Sequence, residues 1–358
     1  MIYLFVFFIS IFFARISDVQ RNRNSIHLVS LILSMLPLIL LATFRTEEIG
    51  TDTSLYPVTI YEFIRGGADF SDLLTFSLLV EPLYYVLVHI TYHYFSNSFT
   101  AILFVQHIII IVCFYIAFYR MRRYVSLTHS VFIFCFLFYN STLNIQRQSM
   151  ALGFVFIGYT FLIENKIRIF LIYLLVAFCM HRSAIFALIL LPIIYVKSVR
   201  LDKYYIFGAL LILLLYPIIF ENFMNIVGLQ KYEQYANDGH FEGFFSYSEF
   251  ILRVGFISIL WFLTPLKMKD ENYYNVLTLF LCEFFINITQ IYSRFIGRMG
   301  LYVFVLYISY IPYYCFRKVN GHKNYMAIAG VYALILFYWW YVYVFTQAGD
   351  TYPYKSVL

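Results

Sequence analysis

The sequence predicts an all-α integral membrane protein: a single polytopic domain, residues 1–358, with about twelve transmembrane helices. Three observations support this fold class. Hydrophobic residues make up 62% of the chain and charged residues only 12%, roughly half the charged share of a soluble domain. The mean hydropathy is +0.77. Apolar runs separated by short polar breaks recur along the whole chain, which is typical of repeated membrane crossings.

Basic residues concentrate in six of the polar breaks. These breaks hold sixteen of the twenty-five Lys and Arg residues but five of the nineteen Asp and Glu residues. They are RISDVQRNRN (15–24), RMRRY (120–124), ENKIR (164–168), KSVRLDK (197–203), FRKVNGHK (316–323) and the weaker KMKDE (267–271). The positive-inside rule predicts that all six face the cytoplasm. The net charge of +6 reflects this bias and gives no indication of a nucleic-acid partner.

The positions of these loops predict the topology of the first third of the chain. The N-terminal run MIYLFVFFISIFFAR has no basic start and no small-residue cleavage site, so we expect a retained span and not a signal peptide. Residues 26–44 form a second span that ends outside at Arg45 and leads into an acidic outer loop, about 45–77. The run EPLYYVLVHITYHYF (81–95) has both ends outside, so we expect a re-entrant or interfacial helix. Residues 99–119 return to the cytoplasm.

Between successive basic loops the chain must cross the membrane an even number of times, which predicts three tight hairpins. Residues 125–163 carry Arg147 at the outer tip, STLNIQRQS (141–149). The segment between Arg168 and Lys197 carries His181 and Arg182 at its tip. The segment 272–316 carries Arg294 and Arg298.

Two further spans belong to the predicted topology. Residues 205–220 lead to a second outer loop, about 221–249, and residues 325–345 form the last span. Both termini are then expected in the periplasm.

The outer cations suggest a binding site. Hairpin helices of twelve to sixteen residues span only ~18–24 Å of the ~30 Å hydrocarbon core. The tips are therefore recessed, or the helices include the charged residues, and in both cases the cations line a cavity open to the outside. Arginine suits bidentate recognition of phosphate. A phosphate-bearing or acidic ligand is predicted, and an activated lipid phosphate is a natural donor where no ATP is supplied.

Simpler interpretations exist for each residue alone. A single Arg at a helix end often extends to the lipid headgroups, and Arg45 could anchor its span in this way. His181 could be an interfacial histidine, and Arg253 and Glu283 could form a structural ion pair inside the membrane. The five cysteines lie in apolar runs without metal-ligand spacing, so we expect neither a disulfide nor a metal site.

Several motifs together resemble one known family. The stretch RTEEIGTDTSLY contains Arg45, Gly50, Asp52 and Tyr56 in the pattern Arg-x4-Gly-x-Asp-x3-Tyr. EPLYYVL, NIQRQSMALGF with Gln148, FLIENK, FCMHRSAIFALILLP, YSRFIGRMGLY and PYKSVL follow in order. In this arrangement the chain is similar to the EpsG-like polysaccharide polymerases, which are related to the O-antigen polymerase Wzy.

The resemblance implies a GT-C-like helical bundle in the bacterial inner membrane. Such a protein joins undecaprenyl-diphosphate-linked repeat units at the periplasmic face, with the growing chain as donor and a single repeat as acceptor. A one-step displacement inverts the anomeric centre and needs neither a metal nor a cofactor. Implied partners are membrane lipids, a Wzx-type flippase and a Wzz-type chain-length regulator.

The same resemblance implies roles for the outer residues. Arg147, Arg294 and Arg298 would bind the diphosphate, with Arg45 and Arg182 in support. A general base must accept the proton of the attacking hydroxyl, and the candidates are Asp52, Glu81 and His181. From the sequence, Asp52 and His181 are equally good candidates for the general base.

Three other functions stay open. A flippase or transporter of lipid-linked oligosaccharides would also bind lipid diphosphates, but would place its cations in a cavity reachable from both sides. A membrane O-acyltransferase needs a histidine deep in the membrane or on the inner side, where His27, His129 and His322 are isolated. A purely structural assembly subunit is the third alternative.

Overall fold

A computed structural model describes residues 1–72, 81–191, 246–263, 271–288, 290, 294–316 and 325–357. Within these ranges the regular structure is helical and contains no β-strand, apart from an isolated antiparallel bridge between Arg45 and Ser356. The chain divides into two compact units. The first comprises Met1–Ile185 and Ile335–Leu358, and the second comprises Phe186–Leu334. The expectation of one domain over 1–358 stays a prediction.

The first part of the first unit, Met1–Ile185, contains eight helical segments, numbered here α1 to α8. They are α1 (Ile2–Val19), α2 (Asn24–Thr43), α3 (the consecutive stretches Thr51–Thr53, Ser54–Val58 and Thr59–Arg65), α4 (Pro82–Ile90, continued by Thr91–Phe95), α5 (Phe99–Met121), α6 (Leu127–Ile133, Phe134–Tyr139 and Asn140–Asn144), α7 (Gln146–Leu162) and α8 (Ile167–Met180). Single turns of 3-10 helix lie at Phe70–Asp72 and Ala348–Asp350, and a longer 3-10 segment, Arg182–Ile189, follows α8.

Small residues allow these helices to pack closely. A Cβ atom on Gly153 of α7 would lie 2.7 Å from the Cβ of Cys113 on α5. The Ser34 hydroxyl of α2 donates to the Ser10 carbonyl of α1 at 2.7 Å and lies 2.7 Å from the Tyr115 hydroxyl of α5. Glycine and serine at helix contacts let backbones approach closely and supply interhelical hydrogen bonds within the apolar bundle.

The helices of the first unit run between two chemically different ends. At one end Asp18 accepts hydrogen bonds from the backbone and hydroxyl of Thr128, at 2.9 and 2.7 Å. At this same end Arg120 donates to Glu164 at 2.9 Å. These contacts join the basic turns that follow α1, α5 and α7, and we call this side the basic end.

The other end carries both ends of the described chain. The Tyr3 hydroxyl near the start of α1 donates to the Thr351 carbonyl. The Tyr354 hydroxyl donates to the carbonyl of Leu41, near the end of α2, at 2.9 Å. Successive long helices therefore alternate in direction, as the distribution of basic loops predicts.

Four described helices are long and apolar enough to cross a membrane: α1, α2, α5 and Tyr325–Phe345. They match the predicted first span and the predicted spans 26–44, 99–119 and 325–345. This number is below the expected total of about twelve, which the described residues do not confirm. The run 81–95 is helical as expected, and its re-entrant or interfacial position stays a prediction.

The hairpin 125–163 is tighter than predicted. Only Ile145 departs from helical geometry between α6 and α7, with φ −90° and ψ 59°. The expected nine-residue tip, 141–149, is therefore helical on both sides of one residue. Because α7 begins at Gln146, the helix includes Arg147, which is one of the two arrangements expected for short hairpin helices.

The second unit contains four described helices and the beginning of a fifth. They are α9 (Tyr247–Leu263), α10 (Glu271–Ile288), α11 (Arg294–Phe304), α12 (Tyr307–Phe316) and α13 (Tyr325–Trp339, continued by Trp340–Phe345). The returning arm of the predicted hairpin 272–316 is thus two helices. The predicted span 205–220, most of the outer loop 221–249 and the basic segment 197–203 lie outside the described residues, as do nearly all of 267–271 and 316–323.

The predicted ion pair between Arg253 and Glu283 is confirmed within the second unit. Arg253 Nη2 lies 2.7 Å from Glu283 Oε1, and Arg253 Nε donates to both carboxylate oxygens at 2.8 Å. The Tyr307 hydroxyl donates to Glu283 Oε2 at 3.0 Å. We call Arg253, Glu283 and Tyr307 the Arg253 cluster.

Candidate functional site

Glu81 is the centre of a buried polar cluster in the first unit. It precedes α4 in an extended conformation, φ −65° and ψ 140°, and Pro82 starts the helix. Proline at the first helical position is favoured because its fixed φ suits the helix and its missing N–H needs no partner there. Arg147 Nη1 donates to Glu81 Oε2 at 2.6 Å. We call Glu81, Arg147 and His181 the Glu81 cluster.

Arg147 is the second residue of α7, two positions after the break at Ile145. Its side chain is 11% exposed. The guanidinium carbon lies 3.9 Å from the ring centroid of Tyr56 and 5.7 Å from that of Tyr84. Cations are attracted to aromatic faces at such distances. One carboxylate and two rings therefore hold the planar guanidinium of Arg147 in place.

His181 ends α8. Its own backbone is extended, φ −157° and ψ 119°, and its N–H donates to the Ala177 carbonyl at 2.8 Å. The buried ring places Nδ1 3.2 Å from Glu81 Oε1, in ion-pair contact. The backbone N–H of Arg182 donates to the same oxygen at 3.3 Å. The predicted tip at 181–182 is thus turned onto Glu81.

The charge state of Glu81 follows from its neighbours. Burial alone would raise the pKa of this carboxyl, but Arg147 and His181 lower it more, so the pKa lies well below its usual range. Glu81 is therefore an anion near neutral pH. A carboxylate that is buried and weakly basic is poorly suited to accept a proton from a substrate hydroxyl.

The motif at 45–56 packs against the break that precedes Arg147. Gly50 has φ +90°, and a Cβ atom there would lie 2.6 Å from the Leu143 carbonyl oxygen. The backbone N–H of Asp52 donates to Asn144 Oδ1 at 2.7 Å, and Gln146 Nε2 donates to the Thr53 hydroxyl at 3.0 Å. Only glycine combines this φ with this close approach, which explains the Gly50 position in the motif.

Arg45, the first residue of that motif, points inward. It is 1% exposed, and its Nη1 donates to the Leu143 carbonyl. Within the described part of the chain, Nε and Nη2 have no hydrogen-bond partner. Burial lowers the pKa of this guanidinium to about 10. This placement favours support of the α6–α7 break, and direct diphosphate binding by Arg45 stays a prediction.

The C-terminal tail completes the surroundings of the motif. The Thr46 N–H donates to the Lys355 carbonyl at 3.0 Å, and the Gly50 N–H to the Asp350 carbonyl at 3.1 Å. Asn140 Nδ2 donates to the Thr351 hydroxyl at 3.1 Å. Sequence reasoning missed Asn140 and Thr351. The available signal was an isolated Asn at the end of the apolar run SVFIFCFLFYN.

The structure thus brings together part of the predicted site. Glu81, Arg147, His181, Tyr56 and the backbone of Arg182 lie in one cluster. Asp52 lies beside the α6–α7 break with a partly exposed side chain, and Gln148 is buried in α7.

The other two predicted arginines lie in the second unit. Arg294 begins α11, and Arg298 follows in that helix, partly exposed. Their participation in the same site as Arg147 stays a prediction. Among the described residues, no group of three or more His, Cys, Asp or Glu is arranged to hold a metal ion.

Comparison with known proteins places the chain in a family. Searches of curated proteins and of solved structures found no match. A model of the EpsG family matches residues 28–356, which include most of α2, the motif at 45–56, the Glu81 cluster, the second unit and nearly all of the C-terminal tail. The chain therefore belongs to the EpsG family, a family of polysaccharide polymerase-like membrane proteins.

Proposed function

We propose that this protein is an inner-membrane polymerase that joins undecaprenyl-diphosphate-linked oligosaccharide repeats at the periplasmic face. The family supports the polymerase role. One structural observation carries the site: a buried carboxylate holds a guanidinium and an imidazole together, at the end of the first unit opposite the basic turns. We infer from the positive-inside rule that the Glu81 cluster faces the periplasm.

The chemistry of lipid-linked glycans fits this cluster. A hydroxyl of the acceptor sugar attacks the anomeric carbon of the donor, and the bond from that carbon to the diphosphate oxygen breaks. The bonding electrons leave with the diphosphate, which gains negative charge in the transition state. Guanidinium groups fixed in a water-poor site stabilise such charge strongly. Arg147 is the first candidate for this role, with Arg182, Arg294 and Arg298 as further candidates.

A base receives the proton of the attacking hydroxyl. Among the three candidates, Glu81 is already engaged by Arg147 and by the backbone of Arg182. Asp52 and His181 therefore remain as candidate bases. Direct displacement by the hydroxyl inverts the anomeric centre, and the arginines take the place of a divalent metal. A flippase and a chain-length regulator are the protein partners expected for this reaction.

Reconstitution with a defined substrate tests the proposal. Purified protein in liposomes receives undecaprenyl-diphosphate-linked repeat units extracted from a strain that lacks the polymerase. We expect a ladder of linked repeats that forms in the presence of EDTA. Transfer of the lipid between leaflets without new glycosidic bonds would instead indicate a transporter. A ladder that needs added Mg²⁺ or Mn²⁺ would contradict the metal-independent mechanism.

Sidedness has its own test. Ser54 in α3 and Arg123 after α5 are both exposed and lie near opposite ends of the first unit. Single cysteines at these positions, in a cysteine-free background, are treated with an impermeant maleimide in spheroplasts. Labelling at 54 and not at 123 is expected. The reverse pattern would contradict a periplasmic Glu81 cluster.

A further inference from the structure

We propose that Glu81 is a positioning residue: one carboxylate oxygen fixes Arg147 and the other orients His181, so that His181 Nε2 accepts the proton of the attacking hydroxyl. This inference rests on the proposed function. It gives Glu81 a positioning role and not that of the general base. It also assigns the general base to His181 and not to Asp52.

The two oxygens of Glu81 have different partners. Oε2 accepts the hydrogen bond from Arg147 Nη1 at 2.6 Å. Oε1 faces His181 Nδ1 at 3.2 Å and the Arg182 N–H at 3.3 Å. A guanidinium and an imidazole from distant parts of the chain thus contact the same carboxylate. Movement of this carboxylate would displace both at once.

The partner of Nδ1 decides which histidine nitrogen does chemistry. In neutral imidazole one nitrogen carries a proton and the other offers a lone pair. Nδ1 faces an anion, so the tautomer with the proton on Nδ1 is favoured and the lone pair lies on Nε2. As the ring takes up a proton, the nearby carboxylate stabilises the resulting imidazolium. Carboxylates hold the histidine of serine hydrolases in this way.

The backbone around Glu81 fixes the carboxylate. Pro82 follows it, and the Glu81 carbonyl accepts the Tyr85 N–H at 3.1 Å in the first turn of α4. The side chain is buried. Within the described part of the chain, Glu81 before α4 lies in ion-pair contact with the His181 ring, and Arg147 on α7 shares that carboxylate. The anion of Glu81 is the counter-charge in direct contact with the His181 ring.

The main variant for testing is Glu81→Gln, which keeps the shape of the side chain and removes its charge. In the liposome assay we expect kcat for linkage formation to fall on the order of 10²-fold, with a KM within about threefold of the wild-type value. The acid limb of the kcat/KM profile should move to lower pH, because the imidazolium loses its counter-charge. Glu81→Asp keeps the charge and should recover part of kcat.

Glu164→Gln is the matched control. Glu164 also pairs with an arginine, Arg120, but at the basic end. This variant should keep the wild-type rate and the wild-type pH profile. Asp52→Asn provides the competing comparison, and we expect its acid limb to stay in place.

The outcomes separate the possible failures. Wild-type protein that forms no linkage contradicts the proposed function itself. Active wild-type protein with a Glu81→Gln variant of equal kcat, at matched protein levels, overturns the positioning role. An acid limb that moves in Asp52→Asn but not in Glu81→Gln assigns the base to Asp52 and also overturns it. If Glu81→Gln does not fold, a folded Glu81→Asp variant with wild-type kcat overturns the positioning role, because the shorter side chain should not hold both Arg147 and His181 in place.

Discussion

The Glu81 cluster and the Arg253 cluster contain the same ion pair in two different settings. Arg147 and Glu81 lie 2.6 Å apart, and Arg253 and Glu283 lie 2.7 Å apart. Glu81 and Arg147 come from the beginnings of helices, and His181 follows the end of another. Arg253 and Glu283 lie well inside α9 and α10.

Exposure also differs between the clusters. The side chains of Arg147 and Glu81 are 11% and 4% exposed, whereas those of Arg253 and Glu283 are 4% and 0% exposed. The carboxylate of Glu283 accepts from Arg253 and Tyr307, and the guanidinium of Arg253 lies 4.6 Å from the Phe304 ring centroid. The described neighbours of the Arg253–Glu283 pair are thus other protein groups. We infer that the Arg253 cluster holds helices together, whereas Arg147 is placed to meet a ligand.

The largest expected difference comes from replacing both ions of each pair by apolar residues. Such replacements are often neutral or stabilising for a purely structural pair. Arg253→Met with Glu283→Leu should therefore keep long-chain polymer in cells. Arg147→Met with Glu81→Leu should give a protein that inserts at normal levels but yields single repeats only. Polymer length on gels at matched protein levels provides the measurement. Normal polymer from the second double variant would remove the functional distinction between the clusters.

Removing Arg253 from its pair with Glu283 should have the next largest effect, and this effect is on stability. Arg253→Ala leaves Glu283 as a buried charge without its cation, which typically costs about 3–5 kcal/mol. We expect a strongly lowered unfolding midpoint in detergent. Arg120→Ala is the control. The side chains of Arg120 and Glu164 are 27% and 44% exposed, and exposed ion pairs contribute only about 0–1 kcal/mol to stability. Equal losses in the two variants would show that Arg253 is not a buried structural ion.

A smaller effect is expected where the motif at 45–56 supports the Glu81 cluster. Gly50→Ala places a methyl group against the Leu143 carbonyl at φ +90°, and such strain costs about 1–3 kcal/mol. The α6–α7 break should shift, and with it Arg147, so polymerisation should slow more than the change in stability alone explains. Gly67→Ala is the control, since Gly67 has φ +101° but a methyl group there would meet nothing within 4 Å. That variant should lose about 1–2 kcal/mol of stability and keep its activity. Equal activity of the two variants would contradict the support role of Gly50.

Local features of the sequence predicted the parts of the fold that depend on local chemistry. Long apolar runs predicted α1, α2, α5 and the last span, because the length of a buried helix follows from its own residues. Charges that interrupt such runs predicted that Arg147 and His181 lie near helix ends. Charges inside the runs predicted the Arg253–Glu283 pair, because an unpaired charge at that depth is costly.

The contacts of Glu81 could not be predicted in the same way. Glu81, Arg147 and His181 are separated by 66 and 34 positions along the chain, and no periodicity connects them. Which carboxylate joins which cation is decided by the packing of α4, α7 and α8. The inward direction of Arg45 and the contact of the C-terminal tail with the motif at 45–56 are likewise tertiary. For that reason Glu81 resembled a base in the sequence and an anchor in the structure.

The most direct measurement of the central claim counts lipid diphosphate released for each new glycosidic bond. Wild-type protein, Arg147→Lys and the Arg253→Met, Glu283→Leu double variant are compared in liposomes with undecaprenyl-diphosphate-linked repeats. We predict one diphosphate per linkage for wild-type protein and for the double variant. Arg147→Lys should release little, because an ammonium does not reproduce the planar, bidentate guanidinium. Wild-type release by folded Arg147→Lys would contradict the claim that the Glu81 cluster binds the leaving diphosphate.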